Sequence, residues 1–252
     1  MDETMKLLIL AAGYATRLYP LTLTQPKPLL PVAGKPMVDH VLDNMTGIAG
    51  LDRVIIVTNA KFASHFQRWA DAYRATKGAV DFTVVNDGST SDADKLGAIG
   101  DLNLVLDRER IDDDLMVVAG DNLFSQPLTE FGAFCKAHDE VVLGVHDIGS
   151  IDEARKYGVV DVDESGKVAR FVEKPEQPRS TLIGIALYYY PRRALGLVRQ
   201  YLAEGNNPDQ PGRLIQWIYP RQTVLSWRIP GIWYDIGSKE TLEEANRLFS
   251  RI

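Results

Sequence analysis

The chain has 252 residues, of which 45% are hydrophobic and 25% are charged, and its net charge is −6 at pH 7. This composition is typical of a globular protein with one large or two small domains. No apolar run reaches the roughly 20 residues of a membrane span, and the acidic start does not resemble a secretory signal. The acidic balance argues against nucleic acid or a membrane surface as a partner. The single cysteine, Cys135, excludes an intrachain disulfide and favours a reducing cytoplasm.

Apolar runs alternate with helix-period segments through the first half of the chain. Runs rich in Val, Ile and Leu predict buried strands at 6–11, 53–58, 82–85, 115–119 and 141–145. Between them, apolar residues recur at helical spacing in 36–47, 61–75, 97–106 and 128–137. This alternation predicts an α/β fold with a Rossmann-like, mixed but mostly parallel sheet flanked by helices. Ligands of such sheets bind beyond the carboxyl ends of the strands.

The pattern changes after residue 146. Segments 159–162 and 168–174 flank a turn signal at 164–166 and predict a β-hairpin. Further strands are predicted at 183–190 and 223–229, and helices at 192–202, 213–219 and 239–249, the last with Ser238 as its N-cap. No repeat or linker interrupts the chain, so we interpret 1–252 as one domain whose halves, 1–146 and 147–252, share one sheet.

The loop after the first strand is the most informative segment, and residues 10–32 read LAAGYATRLYPLTLTQPKPLLPV. It is stiffened by prolines and carries Arg17 and Lys27, while residues 4–38 contain no Asp or Glu. Because the local potential depends on nearby charges, such a loop favours a polyanion such as a triphosphate or a sugar phosphate. It is not a P-loop, since Gly34-Lys35 precedes a proline, and Gly13 alone is not a dinucleotide fingerprint. The alternative is a packed structural loop whose cations are merely solvated.

Three further positions carry charged residues that could bind ligands: the end of one predicted strand, the end of the predicted hairpin, and a segment near the C-terminus. Asp121 follows the strand at 115–119 and Asp235 lies in WYDIGS, so two carboxylates distant in sequence could share one Mg²⁺. The alternative is that each Asp belongs to a turn or caps the last helix. Glu173 and Lys174 end the hairpin, where they could bind hydroxyls and a phosphate or form a simple surface ion pair. Gly158 would let a ligand approach the backbone closely, although turns also use glycine.

Taken together, these motifs resemble the sugar-1-phosphate nucleotidyltransferase family, also called nucleotide-sugar pyrophosphorylases. The resemblance covers nearly the whole chain and is strongest to the glucose-1-phosphate thymidylyltransferases. The opening motif carries most of it, and weaker motifs follow in the family's order: Asp87-Gly88, Leu96-Gly97, Gly120-Asp121-Asn122, Tyr157-Gly158-Val159-Val160, Glu173-Lys174-Pro175 and Asp235. It implies the nucleotide-diphospho-sugar transferase fold.

The resemblance also implies a reaction and a role for each matching residue. The phosphate of a sugar 1-phosphate would attack the α-phosphate of an NTP with the help of Mg²⁺, giving an NDP-sugar and pyrophosphate. Arg17 and Lys27 would be catalytic, and Asp121 and Asp235 would hold the metal. The nucleotide-binding residues would be Leu10, Ala11, Ala12, Gly13, Asn86, Gly88 and Gly97. The sugar-phosphate-binding residues would be Asn122, Gly158, Glu173 and Lys174. The enzyme would work in the cytoplasm, in a family whose members are often homo-oligomers.

Several positions depart from the family pattern. Ala15 replaces a usual loop glycine, which is harmless only if its φ is negative. Pro28 and Asn86 stand where thymidylyltransferases carry base-reading glutamines, and the insertion Ser89–Lys95 could reshape the base pocket. The base and the sugar therefore stay open. The alternatives are a cytidylyltransferase for a non-sugar phosphorylated alcohol, a non-catalytic nucleotide-sugar sensor on this fold, and a nicotinamide-dependent oxidoreductase, which the lone Gly13 disfavours.

Overall fold

The computed structural model describes residues 4–77 and 81–251. Its strands are β1 (Met5–Leu10), β2 (Pro31–Val32), β3 (Lys35–Pro36), β4 (Leu51–Thr58), β5 (Asp81–Asn86), β6 (Asp114–Ala119), β7 (Asn122–Phe124), β8 (Val141–Asp147), β9 (Gly158–Val162), β10 (Val168–Glu173), β11 (Leu182–Tyr190), β12 (Val224–Arg228) and β13 (Trp233–Asp235). Its α-helices are α1 (Met37–Met45), α2 (Ala63–Lys77), α3 (Ala98–Arg108), α4 (Thr129–His138), α5 (Ile151–Ala154), α6 (Gly196–Ala203), α7 (Gly212–Ile218) and α8 (Lys239–Phe249). Within the described residues, no helix is both long and apolar enough to cross a bilayer.

A mixed sheet of nine strands forms the centre of the described structure. Its main path runs β10-β9-β11-β6-β1-β4-β5, and β8 joins β11 to β12. The strands β6, β1, β4 and β5 are parallel, whereas β11 is antiparallel to β6, β8 and β9. The predicted α/β fold with a mixed, mostly parallel sheet is confirmed. Both halves of the chain contribute strands to this one sheet.

Helices cover both faces of the sheet, which explains why its strands are continuously apolar instead of alternating. Successive side chains of β1 point to opposite faces, so Leu7 and Ile9 pack into one hydrophobic cluster and Leu8 into another. The first cluster includes residues of α1, α2 and α4, and the second includes residues of α3, α6 and α7. The helices leave the carboxyl ends of the parallel strands β1 and β6 accessible.

The predicted elements match the structure within a few residues, with some exceptions. The helix predicted at 192–202 is wrong as one element, because a 3-10 turn at Arg192–Ala194 precedes α6. The loop after β1 contains 3-10 helices at Thr16–Leu18 and Lys27–Leu29 and the short β2–β3 pair, none of which was predicted. The antiparallel pair β7–β13 and the one-turn helix α5 were also not predicted, since such short elements carry no periodic signal. Ser238 caps α8 as expected.

Candidate active site

A cleft of about 470 Å³ opens at the carboxyl ends of β1 and β6, where ligands of such sheets bind. The loop after β1 forms one wall, and β10, β11 and the segment 209–212 form another. All the predicted site residues line this cleft except Asn86 and Gly88, which are described but lie outside its lining. The fold therefore brings together groups that are up to 225 positions apart in the sequence, such as Leu10 and Asp235.

Lys27 lies between the two predicted metal ligands. Its Nζ is 2.6 Å from Oδ2 of Asp121 and 3.8 Å from Oδ1 of Asp235. The β7–β13 pair creates this arrangement, because Asp235 lies opposite Asn122, the neighbour of Asp121. Burial lowers the pKa of Lys27, but the two carboxylates outweigh burial, so the pKa is raised and the ammonium stays charged. Burial and the nearby Asp121 charge raise the pKa of Asp235, against the opposing effect of Lys27.

Arg17 reaches the same end of the cleft from the first 3-10 turn. Leu18 anchors that turn in a small hydrophobic cluster, and Thr22 Oγ1 donates a hydrogen bond to the Ala15 carbonyl at 2.8 Å. Among the described residues, Arg17 has no hydrogen-bond or ion-pair partner, so its guanidinium is available to a ligand. Ala15 itself has φ 46° and ψ 46°, which is the left-handed region. The missing glycine is therefore not harmless, because a side chain in that region strains the loop.

Glu173 and Lys174 line the other end of the cleft. Glu173 pairs with Gly158 across the β9–β10 hairpin, and burial raises its pKa although Lys174 and Arg213 act in the opposite direction. A Cβ at Gly212 would lie 2.1 Å from Glu173 Oε2, so a larger residue there would displace the Glu173 carboxylate. At Gly158, a Cβ would meet the Phe171 ring at 2.2 Å. The glycine at 158 thus has a packing reason, independent of any ligand.

Asn122 has structural partners for both ends of its amide. Its Nδ2 donates to the Ala186 carbonyl at 2.9 Å, and its Oδ1 accepts from Trp233 Nε1 at 3.3 Å. These bonds tie β7 to β11 and β13 and so fix the neighbouring Asp121. The predicted contact of Asn122 with a sugar phosphate stays a prediction.

The start of α3 adds Gly97 and Asp101 to the cleft lining, and the sequence did not single out Asp101. Asn86 Oδ1 accepts a hydrogen bond from Gly88 N at 2.9 Å, which closes a turn outside the cleft lining. The predicted contact of these two residues with the base stays a prediction. Gly97 lines the cleft, and its φ of 79° together with the Pro208 carbonyl, 2.6 Å from a Cβ placed there, requires glycine. Asp101, one turn further along α3, also lines it. Asp101 could have been noticed in the sequence, because it is a charged residue on the apolar face of the helix predicted at 97–106.

Asp121 and Asp235 are the carboxylates of the cleft that were predicted to bind Mg²⁺. Across the described residues, no group of three or more His, Cys, Asp and Glu side chains is arranged as a complete metal site. Mg²⁺ is commonly held by one or two carboxylates and by substrate phosphates, so a pair of Asp side chains fits it as a partial site. Asp235 is not the cap of α8, because Ser238 takes that role, and its function as a metal ligand stays a prediction.

Comparison with known proteins identifies the family of this chain. A family model described as nucleotidyl transferase matches residues 6–251. The chain belongs to the nucleotidyl transferase family. The match includes every residue predicted for the site, from Leu10 to Asp235.

Three similar proteins illustrate the family. The probable mannose-1-phosphate guanylyltransferase 2 of Arabidopsis thaliana is 30% identical over 254 residues, covering 97% of this chain and 65% of that protein. The UTP–glucose-1-phosphate uridylyltransferase AglF of Haloferax volcanii is 29% identical and covers 96% of both chains. The structure of a UDP-glucose pyrophosphorylase complexed with UDP-glucose has a TM-score of 0.81 at 23% identity, over 98% of this chain and 99% of that one, and shows the shared fold. The chain spans 54–65% of the length of the first curated relatives it matches.

Proposed function

We propose that this protein transfers a nucleotidyl group from an NTP to the phosphate of a sugar 1-phosphate and releases pyrophosphate. The observation that carries the proposal is the position of Lys27 between Asp121 and Asp235, in one cleft with Arg17, which has no hydrogen-bond or ion-pair partner among the described residues. Family membership supports nucleotidyl transfer, and the names of the guanylyl and uridylyl relatives support a sugar 1-phosphate as acceptor.

The reaction needs positioning and charge stabilisation but no enzyme nucleophile. An oxygen of the sugar phosphate attacks the α-phosphorus in line and forms the new P–O bond. The bond from the α-phosphorus to the β-phosphate oxygen breaks, and pyrophosphate leaves with its electron pair. The difficulty is to bring two polyanions together and to stabilise the charge on their oxygens, which fixed cations do.

The residues of the cleft divide these tasks. Arg17 would hold the β- and γ-phosphates, because its planar guanidinium can donate parallel hydrogen bonds to phosphate oxygens. The ammonium of Lys27 would stabilise the reacting phosphates, and in the free protein it offsets the two carboxylates. Lys174 would bind the acceptor phosphate, and Glu173 would accept hydrogen bonds from sugar hydroxyls.

Mg²⁺ is part of this proposal. Asp121 and Asp235 would hold it, together with phosphate oxygens that the substrate brings. When bound, the ion would neutralise the charge that develops on the phosphate oxygens. A cytoplasmic location and a homo-oligomer stay predictions from the sequence.

The test is pyrophosphate release with Mg²⁺ over a grid of dTTP, UTP, CTP, GTP and ATP against glucose, mannose, galactose and N-acetylglucosamine 1-phosphates. We expect release that requires both an NTP and a sugar 1-phosphate. A second set of reactions pairs CTP with non-sugar phosphorylated alcohols, and pyrophosphate release only in that set would replace the proposal with a cytidylyltransferase. Nucleotide binding without any turnover on the grid or with such alcohols would replace it with a sensor.

A further inference from the structure

The segment 208–212 connects the start of α3 with the residue proposed to bind the sugar. At one end, the backbone carbonyls of residues 208 and 209 accept hydrogen bonds from the second and first N–H groups of α3, at 2.9 and 3.2 Å. At the other end, Gly212 lies so close to Glu173 that a Cβ at Gly212 would be 2.1 Å from Oε2. The carboxylate of Glu173 is therefore packed against this segment, and a shift of the segment would change the space around it.

Lys95 adds a side-chain contact to the first of these ends. Its Nζ lies 3.1 Å from Oδ1 of Asp209 and 3.4 Å from Oδ1 of Asp92. The hydrogen bond to Asp209 raises the pKa of Lys95, so the ammonium stays charged at neutral pH. Lys95 is the last residue of the insertion Ser89–Lys95, so this ion pair joins the insertion to the segment 208–212.

Polar contacts continue from this ion pair along the segment. Asp209 Oδ2 accepts a hydrogen bond from Gln210 Nε2 at 2.6 Å, and Gln210 Oε1 accepts one from Arg213 Nε at 2.5 Å. Both ends of the Gln210 amide are thereby engaged, so its orientation at the cleft wall is fixed. Burial raises the pKa of Glu173, and the nearby positive charge of Arg213 acts in the opposite direction. A chain of hydrogen bonds and charges therefore runs from Lys95 to Glu173.

We propose that Lys95 positions the acceptor site: its ion pair holds the segment 208–212 against Glu173 and so shapes the binding site of the sugar 1-phosphate. This inference rests on the proposed function. The sequence predicted an effect of the insertion on the base pocket, whereas these contacts lead from its last residue to Glu173. Loss of the ion pair should therefore weaken the binding of the sugar 1-phosphate more than the binding of the NTP.

The first experiment compares Lys95→Met with the wild type by steady-state kinetics. We expect KM for the sugar 1-phosphate to rise about three- to fivefold, which is the effect of a partly exposed ion pair, while kcat and KM for the NTP change by less than about twofold. Lys95→Arg keeps the charge and should keep KM near the wild-type value. Lys77→Met is the matched control, since it removes the same charge at an exposed residue that pairs with Asp43, and it should leave KM unchanged. An unchanged KM for the sugar phosphate in Lys95→Met, or an equal rise in KM for the NTP, would overturn the inference.

A double-mutant cycle tests whether Lys95 acts through Asp209. Asp209→Asn should also raise KM for the sugar 1-phosphate. The double variant Lys95→Met with Asp209→Asn should have the same KM as Asp209→Asn alone, because the ion pair is already lost. Effects that multiply in the double variant would show that the two residues act separately, and would overturn the inference.

Hydrogen exchange tests the same role without turnover. The first N–H groups of a helix have no partner within the helix, so in α3 the exchange of Ala98 and Ile99 reports how firmly the segment 208–212 is held. We expect these two amides to exchange about three- to fivefold faster in Lys95→Met and at the wild-type rate in Lys77→Met. Faster exchange in a protein without turnover would leave the positioning by Lys95 standing and reject the transferase. Turnover with unchanged exchange would do the opposite.

Discussion

The replacement of Lys27 by methionine removes the positive charge between Asp121 and Asp235 but keeps most of the side-chain volume. At the observed distances, the attraction of Lys27 to Asp121 and Asp235 is roughly 6 and 4 kcal/mol with an effective dielectric constant of about 20. Desolvation offsets much of this gross attraction. Because the lysine side chain is only 12% exposed, the two carboxylates would lose a buried partner, and we expect the free energy of unfolding to fall by about 3 kcal/mol.

The same substitution should have a larger effect on turnover. Losing one preorganised stabiliser of transition-state charge costs about 2.7–4 kcal/mol, which corresponds to a 10²- to 10³-fold lower kcat. Stability is measured by urea denaturation and by thermal unfolding, where a loss of this size lowers Tm by about 6–12 °C. Turnover is measured as pyrophosphate release at a temperature where the variant is folded, so that the two effects are separated.

Lys77→Met is the control for the loss of one positive charge. Lys77 is exposed and pairs with Asp43 at 3.5 Å, so we expect its replacement to change stability by no more than about 0.5 kcal/mol. Turnover should stay at the wild-type value. If Lys27→Met retained wild-type turnover, Lys27 would not stabilise the reacting phosphates. If it also retained wild-type stability, the account of the ion pairs would be refuted.

Four further predictions concern the loop, the metal and the buried carboxyl group of Asp101. Arg17→Ala should lower kcat about 10²-fold or more, and near-normal turnover would remove Arg17 from the phosphate site. Asp121→Asn should raise the Mg²⁺ concentration needed for half-maximal turnover, and an unchanged Mg²⁺ titration would exclude this ligand. Ala15→Gly should stabilise the protein by roughly 0.5–1 kcal/mol in urea, since it relieves the left-handed strain but gains unfolded-state entropy, whereas the control Ala93→Gly should destabilise it. Because the folded pKa of Asp101 is raised to about 8, folding takes up a proton, so wild-type stability should fall as pH rises from about 4 to 8. Asp101→Asn should make stability depend less on pH in this range. Parallel profiles of unfolding free energy against pH for the variant and the wild type would show that Asp101 does not cause the fall.

The strand and helix pattern was predictable because both faces of the sheet are covered, which leaves long apolar runs in the sequence. The opening loop was also recognisable as a site, since its cations lie in a segment without acidic residues. The sequence predicted that Asp121 and Asp235 come together at one ion. It did not predict that Lys27 lies between them, or that the β7–β13 pair brings them together, because β7 and β13 have only three residues each and carry no periodic signal.

The surroundings of the predicted base contacts were the least predictable part of the site. Asn86 was predicted there from its resemblance to a base-reading position, yet its side chain closes a turn with Gly88. The raised pKa of Asp101 results from its burial and from the neighbouring Asp87, and both depend on tertiary contacts that a single sequence does not contain. Gly158 illustrates the reverse case, since its glycine is explained by the Phe171 ring and not by a ligand alone.

The transfer of the nucleotidyl group to the sugar phosphate is tested most directly by following the phosphate oxygens. A sugar 1-phosphate labelled with ¹⁸O on its phosphate oxygens is incubated with the protein, Mg²⁺ and the NTP that supports turnover. The account predicts that all the label appears in the NDP-sugar and none in pyrophosphate, because the labelled oxygen attacks the α-phosphorus and pyrophosphate leaves. Label in pyrophosphate or in inorganic phosphate, or nucleotide turnover that does not need the sugar phosphate, would contradict it.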